Sequence, residues 1–273
     1  MKRIALLLVP LLLLGCGKSA DEHVQQGNAY IAQGEMASAV LEFEDAIELD
    51  PENHEAHNAL GAALSAMGDM ARATEHFRTA VALKEDFIEA HYNLGRALAE
   101  AGEYREALGE FLKVARLDST YAIAYLSAGA IFASQGMNEQ AVDAYRRAIR
   151  HDPDLIQARI GLASLYMGMG EYDLGIDELL LARERAPENS RLLFMAGNAA
   201  LMKRDFNRAI DLLQSAVEED STNLMYRNDY ATALMLADRK AEAVAEWERI
   251  LASNPDPGLA DGVRQNLDQA RGQ

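Results

Sequence analysis

Six histidines, one cysteine and 43 carboxylates are the side chains here that could do chemistry. His54 and His57 stand three residues apart, a spacing that puts two imidazoles on one side of a helix and suits a shared metal ion. No cysteine joins them, so no metal site is assigned. The chain has no G-x-x-x-x-G-K-[ST] phosphate loop. Gly161 and Ser164 do not form a nucleophile elbow, because no strand precedes them. The carboxylates are expected on solvated faces, where they contribute solubility and not acid–base catalysis. No catalytic residue and no cofactor is therefore expected, and the chain reads as a non-enzyme.

Composition narrows the partners. The 273 residues are 49% hydrophobic and 25% charged, an ordinary globular balance, and the net charge is −17. Such a chain repels nucleic-acid phosphates and anionic lipid headgroups. Neither a nucleic acid nor a small-molecule substrate is expected.

The lone cysteine is defined by its position. Met1-Lys2-Arg3 is a short positive start, and Ile4 to Leu14 is an apolar run broken only by Pro10. A bilayer-spanning helix needs about 20 apolar residues, so this run has signal-peptide length. It ends in Leu13-Leu14-Gly15-Cys16, which resembles the bacterial lipobox. The resemblance implies a signal peptide over 1–15, cleavage before Cys16 and a diacylglyceryl group on its thiol. Two or three acyl chains there would anchor the protein stably. Gly17 stands where the enterobacterial inner-membrane retention signal has Asp, which favours the outer membrane, facing the periplasm. Loss of Lys2 and Arg3 would leave 24 basic against 43 acidic residues, a net charge of −19. Residues 16–19 form a short linker.

The elements that must position everything else come from a repeat. At a period of 34 residues the chain divides into blocks 20–53, 54–87, 88–121, 122–155, 156–189, 190–223 and 224–257, with no insertion or deletion. The eighth position is always small: Gly27, Gly61, Gly95, Gly129, Ala163, Gly197 and Ala231. So is the twentieth: Ala39, Ala73, Ala107, Ala141, Gly175, Ala209 and Ala243. Four places on come Phe43, Phe77, Phe111, Tyr145, Leu179, Leu213 and Trp247. Small residues let two helices approach, and the large one fills the groove one turn along. Gly34, Gly68, Gly102, Gly136 and Gly170 mark the turn between the helices, and Pro51, Pro153, Pro187 and Pro255 end the second. Arg204 and Asp238 replace the turn glycine in the last two blocks. Residues 258–273 read as a capping helix and tail.

These positions resemble the tetratricopeptide repeat over residues 20–257. The resemblance implies an all-α, right-handed superhelical solenoid of seven tandem helix-turn-helix repeats with a C-terminal capping helix. It makes His23, His57 and His91, at the fourth position, packing residues. It places ligand contacts at positions 2, 5, 9 and 12 of the first helices. On this chain the expected partner-binding groove comprises Tyr92, Arg96, Leu126, Ile160, Met167, Phe194, Asn198, Leu201, Met225, Asn228 and Met235. Val24 and Glu89 stand where a carboxylate clamp of this family needs lysines, so capture of a C-terminal carboxylate is not expected. The C-terminal half of the groove is apolar and rich in Met, a surface that adapts to varied partners. The first block carries nine acidic residues and no Lys or Arg.

The expected function is a membrane-anchored scaffold or adaptor that binds other envelope proteins, or their peptide segments, during assembly of an envelope complex such as pilus or secretion machinery. The alternatives are an adaptor for envelope proteases or peptidoglycan hydrolases, and a periplasmic chaperone-like binder of apolar peptide segments. These rest on analogy, since fold does not dictate function.

Overall fold

The computed structural model describes residues 18–272; the expected signal peptide and Cys16 lie outside them. The described residues form fifteen α-helices and no strand. The first helices of successive repeats are α1 (Ala20–Gln33), α3 (His54–Ala66), α5 (Ile88–Glu100), α7 (Ala122–Ser134), α9 (Ile156–Gly168), α11 (Ser190–Lys203) and α13 (Leu224–Leu236). Their partners are α2 (Met36–Leu49), α4 (Met70–Leu83), α6 (Tyr104–Leu117), α8 (Asn138–His151), α10 (Tyr172–Arg185), α12 (Phe206–Glu219) and α14 (Lys240–Ala252). A last helix, α15, covers Pro257–Arg271. None of these helices is long and apolar enough to cross a membrane.

The chain forms two compact units, one up to Glu110 and one from Phe111. In the first, Phe43, Leu60, Phe77, Leu94 and Leu98 are buried among the alanines of the small positions. The small eighth position has a steric cause: a methyl group on Gly61 would lie 2.7 Å from Phe77 Cε1 and 3.1 Å from the Ala73 carbonyl oxygen. α1 begins with a capping box: the Glu22 amide donates to Ser19 Oγ, and the Ser19 amide to Glu22 Oε2.

In the second unit Ile176, Leu179, Leu192, Leu213, Leu234, Trp247 and Ile250 form one continuous core. Pro257 starts α15, and Asp256 caps it by accepting from the Leu259 amide at 3.1 Å. α15 buries Ala260, Val263, Leu267 and Ala270, and Val263, Leu267 and Ala270 belong to this same core. Leu259 packs partly buried against it, and most of the other residues of α15 face solvent, as a terminal repeat needs.

The turn lacking glycine in the sixth repeat keeps the glycine geometry. Gly34 has φ 79°, with its amide on Ile31 and the Glu35 amide on the Tyr30 carbonyl. Arg204 has φ 66°, with its amide on Leu201 and the Asp205 amide on the Ala200 carbonyl. Asp238 does the same with φ 64°. The helix-closing hydrogen bonds force the left-handed backbone on residues that carry a Cβ. Arg204→Gly is expected to raise stability by about 0.5–1 kcal/mol, relief of backbone strain outweighing the added freedom of the unfolded chain. A urea titration reads this; a lower midpoint would mean that the arginine side chain contributes more than its backbone costs.

Candidate functional site

The histidines resolve into structure. In five of the seven repeats the fourth residue of the first helix pairs with a polar residue nineteen places later on the second. His23 Nδ1 lies 2.7 Å from Glu42 Oε2, His57 Nδ1 3.1 Å from His76 Nδ1, and His91 Nδ1 2.5 Å from Glu110 Oε2. Arg159 and Arg227 occupy the same place and donate to Glu178 at 2.9 Å and Glu246 at 2.6 Å. His57 and His91 also reach the carbonyls of Pro51 and Glu85. Burial, and the facing His57, push the His76 pKa below the ordinary histidine value. These pairs clasp the two helices of a repeat together.

His54 does not converge with His57 on a metal position. Its ring sits edge-on against Phe87, centroids 5.1 Å apart, while His57 turns to the second helix. His23, Glu42 and Asp45 come within ligand distance of one another, but the Lys18 ammonium already sits 3.1 Å from Glu42.

The expected groove residues fall in both units. Tyr92 is half-buried and Arg96 exposed on α5, in the first unit. The other nine lie in the second. Leu126 on α7 packs against Tyr145, Leu162 and Tyr166. Ile160, Met167, Phe194, Leu201 and Met235 are half-buried against the main core. Met167 is turned inward: a methyl group on Gly175 would lie 2.9 Å from its Cγ. Its side chain fills the space left by a glycine where other repeats have Ala. Phe194 stacks on Tyr226 at 4.5 Å and joins α11 to α13. Met225 is 62% exposed. Most of these side chains thus present one edge to solvent and commit the other to packing.

The two groove asparagines converge on a residue that sequence reasoning passed over. Asp229 accepts from Asn198 Nδ2 at 3.0 Å and from Asn228 Nδ2 at 3.3 Å. Trp247 Nε1 donates to Asn228 Oδ1 at 3.2 Å and fixes that amide. Burial raises the Asp229 pKa, and the two amide hydrogen bonds only partly oppose this. Asp229 is half-buried and Glu246 is 8% exposed, so these two acidic residues depart from the solvated faces expected of their kind. Glu246 is held by Arg227 and Arg249. The signal for Asp229 was its place beside position 5 of the last repeat, one residue from a recognised contact position.

Family models for the TPR repeat match residues 27–68, and tetratricopeptide-repeat models match 58–122, 92–156, 132–196 and 200–267. Together they span 27–196 and 200–267. No curated protein matches the sequence. Among solved structures, the C-terminal part of a TPR repeat-containing protein from Cytophaga hutchinsonii is 16% identical, with TM-score 0.76 over 88% of this chain and 98% of that one. The Pseudomonas aeruginosa protein pilF is 22% identical, TM-score 0.63, over 78% and 97%. YrrB, described as a TPR protein with an unusual peptide-binding site, is 20% identical, TM-score 0.57, over 67% and 95%. At these identities the likeness concerns fold.

Proposed function

Because this chain belongs to the tetratricopeptide-repeat family, we propose that it is a binding scaffold that holds an apolar peptide segment of another protein on the first helices of its last two repeats. The observation that carries this is the exposure of large apolar side chains there: Met225 at 62%, Met202 at 59% and Leu236 at 51%. Exposed Met and Leu beside half-buried Phe194, Leu201 and Met235 offer a partner apolar area to cover. The fold supports protein or peptide partners, and its repeats occupy nearly all of the described chain.

The lipobox-like start adds a place. With Cys16 acylated, the scaffold would be tethered in the cell envelope, at the outer membrane facing the periplasm, and its partners would be envelope proteins. Assembly of pilus or secretion-type machinery is the reading adopted, and an adaptor for proteases or peptidoglycan hydrolases is the rival.

The test is crosslinking in intact host cells, with recovery from the membrane fraction by a C-terminal tag. Met225→Ser is the groove variant of choice, since an exposed side chain can be changed without unfolding the chain. One dominant envelope partner, at least about tenfold reduced in Met225→Ser, is expected. Cys16→Ser, run alongside, is expected to leave the membrane fraction. A broad mixture unchanged in Met225→Ser would reject the scaffold reading of this face, and retention of Cys16→Ser in the membrane would reject the anchor.

A further inference from the structure

The reading of α11 and α13 as a peptide-binding face leaves Asp229 unexplained. Its two carboxylate oxygens receive one neutral amide each. Among the described residues no Lys, Arg or His lies within ion-pair distance of it. The nearest arginine in sequence, Arg227, is committed to Glu246. A half-buried carboxylate with no counter-charge is costly, and burial raises its pKa against the two amide hydrogen bonds.

The surroundings add a second unmet acceptor. Asn198 gives its amide nitrogen to Asp229, and its Oδ1 is buried with no hydrogen-bond partner. Asn228 cannot turn to help, because Trp247 holds its oxygen. The site therefore holds acceptors and lacks a cationic donor; Asn198 Oδ1 is out of contact with solvent, and the half-buried Asp229 carboxylate is the acceptor that an incoming group meets. A cationic group with several N–H bonds supplies what is missing.

We propose that Asp229 receives the ammonium or guanidinium group of a single Lys or Arg, carried by an otherwise apolar peptide segment of a partner protein that seats on α11 and α13. This deepens the function proposed above and rests on it. The occupant is a peptide and not a free amine, because Met225 and Leu236 on α13 are left exposed and need covering by carbon. It is not a second copy of this chain, because a net charge of −17 opposes self-association and attracts a basic partner.

The test selects displayed random peptides of about twelve residues on the full chain. Each selected peptide, and its analogue with norleucine in place of the basic residue, is then titrated into wild type, Asp229→Asn and Met225→Ser. The proposal expects selected peptides with one Lys or Arg among apolar residues. Asp229→Asn should weaken them about tenfold while changing the norleucine analogues less than about twofold, a coupling that general loss of structure would not produce. Since the analogue removes the charge without touching the protein, the result does not depend on how the variant folds. Peptides weakened by Met225→Ser but not by Asp229→Asn would overturn the cation site and leave the peptide-binding face standing. Peptides indifferent to both variants would overturn both. Binding of spermidine at Asp229 with no peptide preference, or a concentration-dependent dimer lost in Asp229→Asn, would also overturn the proposal.

Discussion

Trp247→Ala is expected to lose about 3–5 kcal/mol of stability, the range for truncating a buried aromatic side chain. Trp247 is 2% exposed and packs in the core shared by Leu234, Ile250, Val263 and Leu267. Its indole also holds the Asn228 amide, so the substitution leaves a cavity and frees an acceptor. Repeat proteins are stabilised through nearest neighbours, so the loss should be local. Hydrogen exchange should show α13, α14 and α15 losing protection while α9 and α10 keep theirs. Equal loss of protection across the second unit would show that it melts as one cooperative body, against the nearest-neighbour account.

Gly61→Val should be nearly as damaging, through the opposite fault. The first carbon of any side chain there already falls 2.7 Å from Phe77 and 3.1 Å from the backbone oxygen of Ala73. Phe77 is 2% exposed and has little room to move. Two further methyl groups would wedge α3 away from α4 at an expected cost of about 3 kcal/mol. The ring is confined by its neighbours, and the carbonyl belongs to a helix and cannot yield. A denaturation midpoint equal to wild type would show that the helices can separate freely and that close approach is not what glycine provides.

The architecture was readable because its cause is written at every repeat. Small residues at the eighth and twentieth positions and a large one at the twenty-fourth express a single contact, seen directly in Gly61 against Phe77. What could not be read came from exceptions inside that regularity. Met167 occupies a nominal ligand-contact position, yet the missing Cβ of Gly175 draws it inward. The register places Arg204 at a turn, but nothing in its type reports the glycine-like backbone that the bond from the Asp205 amide to Ala200 imposes on it. Asp229 looked like one more solvated acid. Its isolation depends on Trp247 and Asn198, neighbours 18 and 31 residues away in sequence, and no local pattern reports that.

The clasp between the fourth position and its partner nineteen residues on has a consequence for how such a chain avoids folding wrongly. Near-identical repeats invite a helix to pair with the wrong neighbour, since the apolar contacts would fit almost as well. The clasps here differ: His with Glu, His with His, and Arg with Glu in the fifth and seventh repeats. In the sixth the matching residues are Leu193 and Leu212, which meet in one apolar cluster. Exchanging the second helices of the sixth and seventh repeats would set Arg227 against Leu212 and Glu246 against Leu193. Arg227 would then be shielded from water without a counter-ion, a penalty of several kcal/mol, and Glu246 would keep only Arg249 on its own helix. The variation at this pair thus acts as a set of address labels for the repeats that carry a clasp, setting the mate of Arg227 apart from the apolar copy beside it.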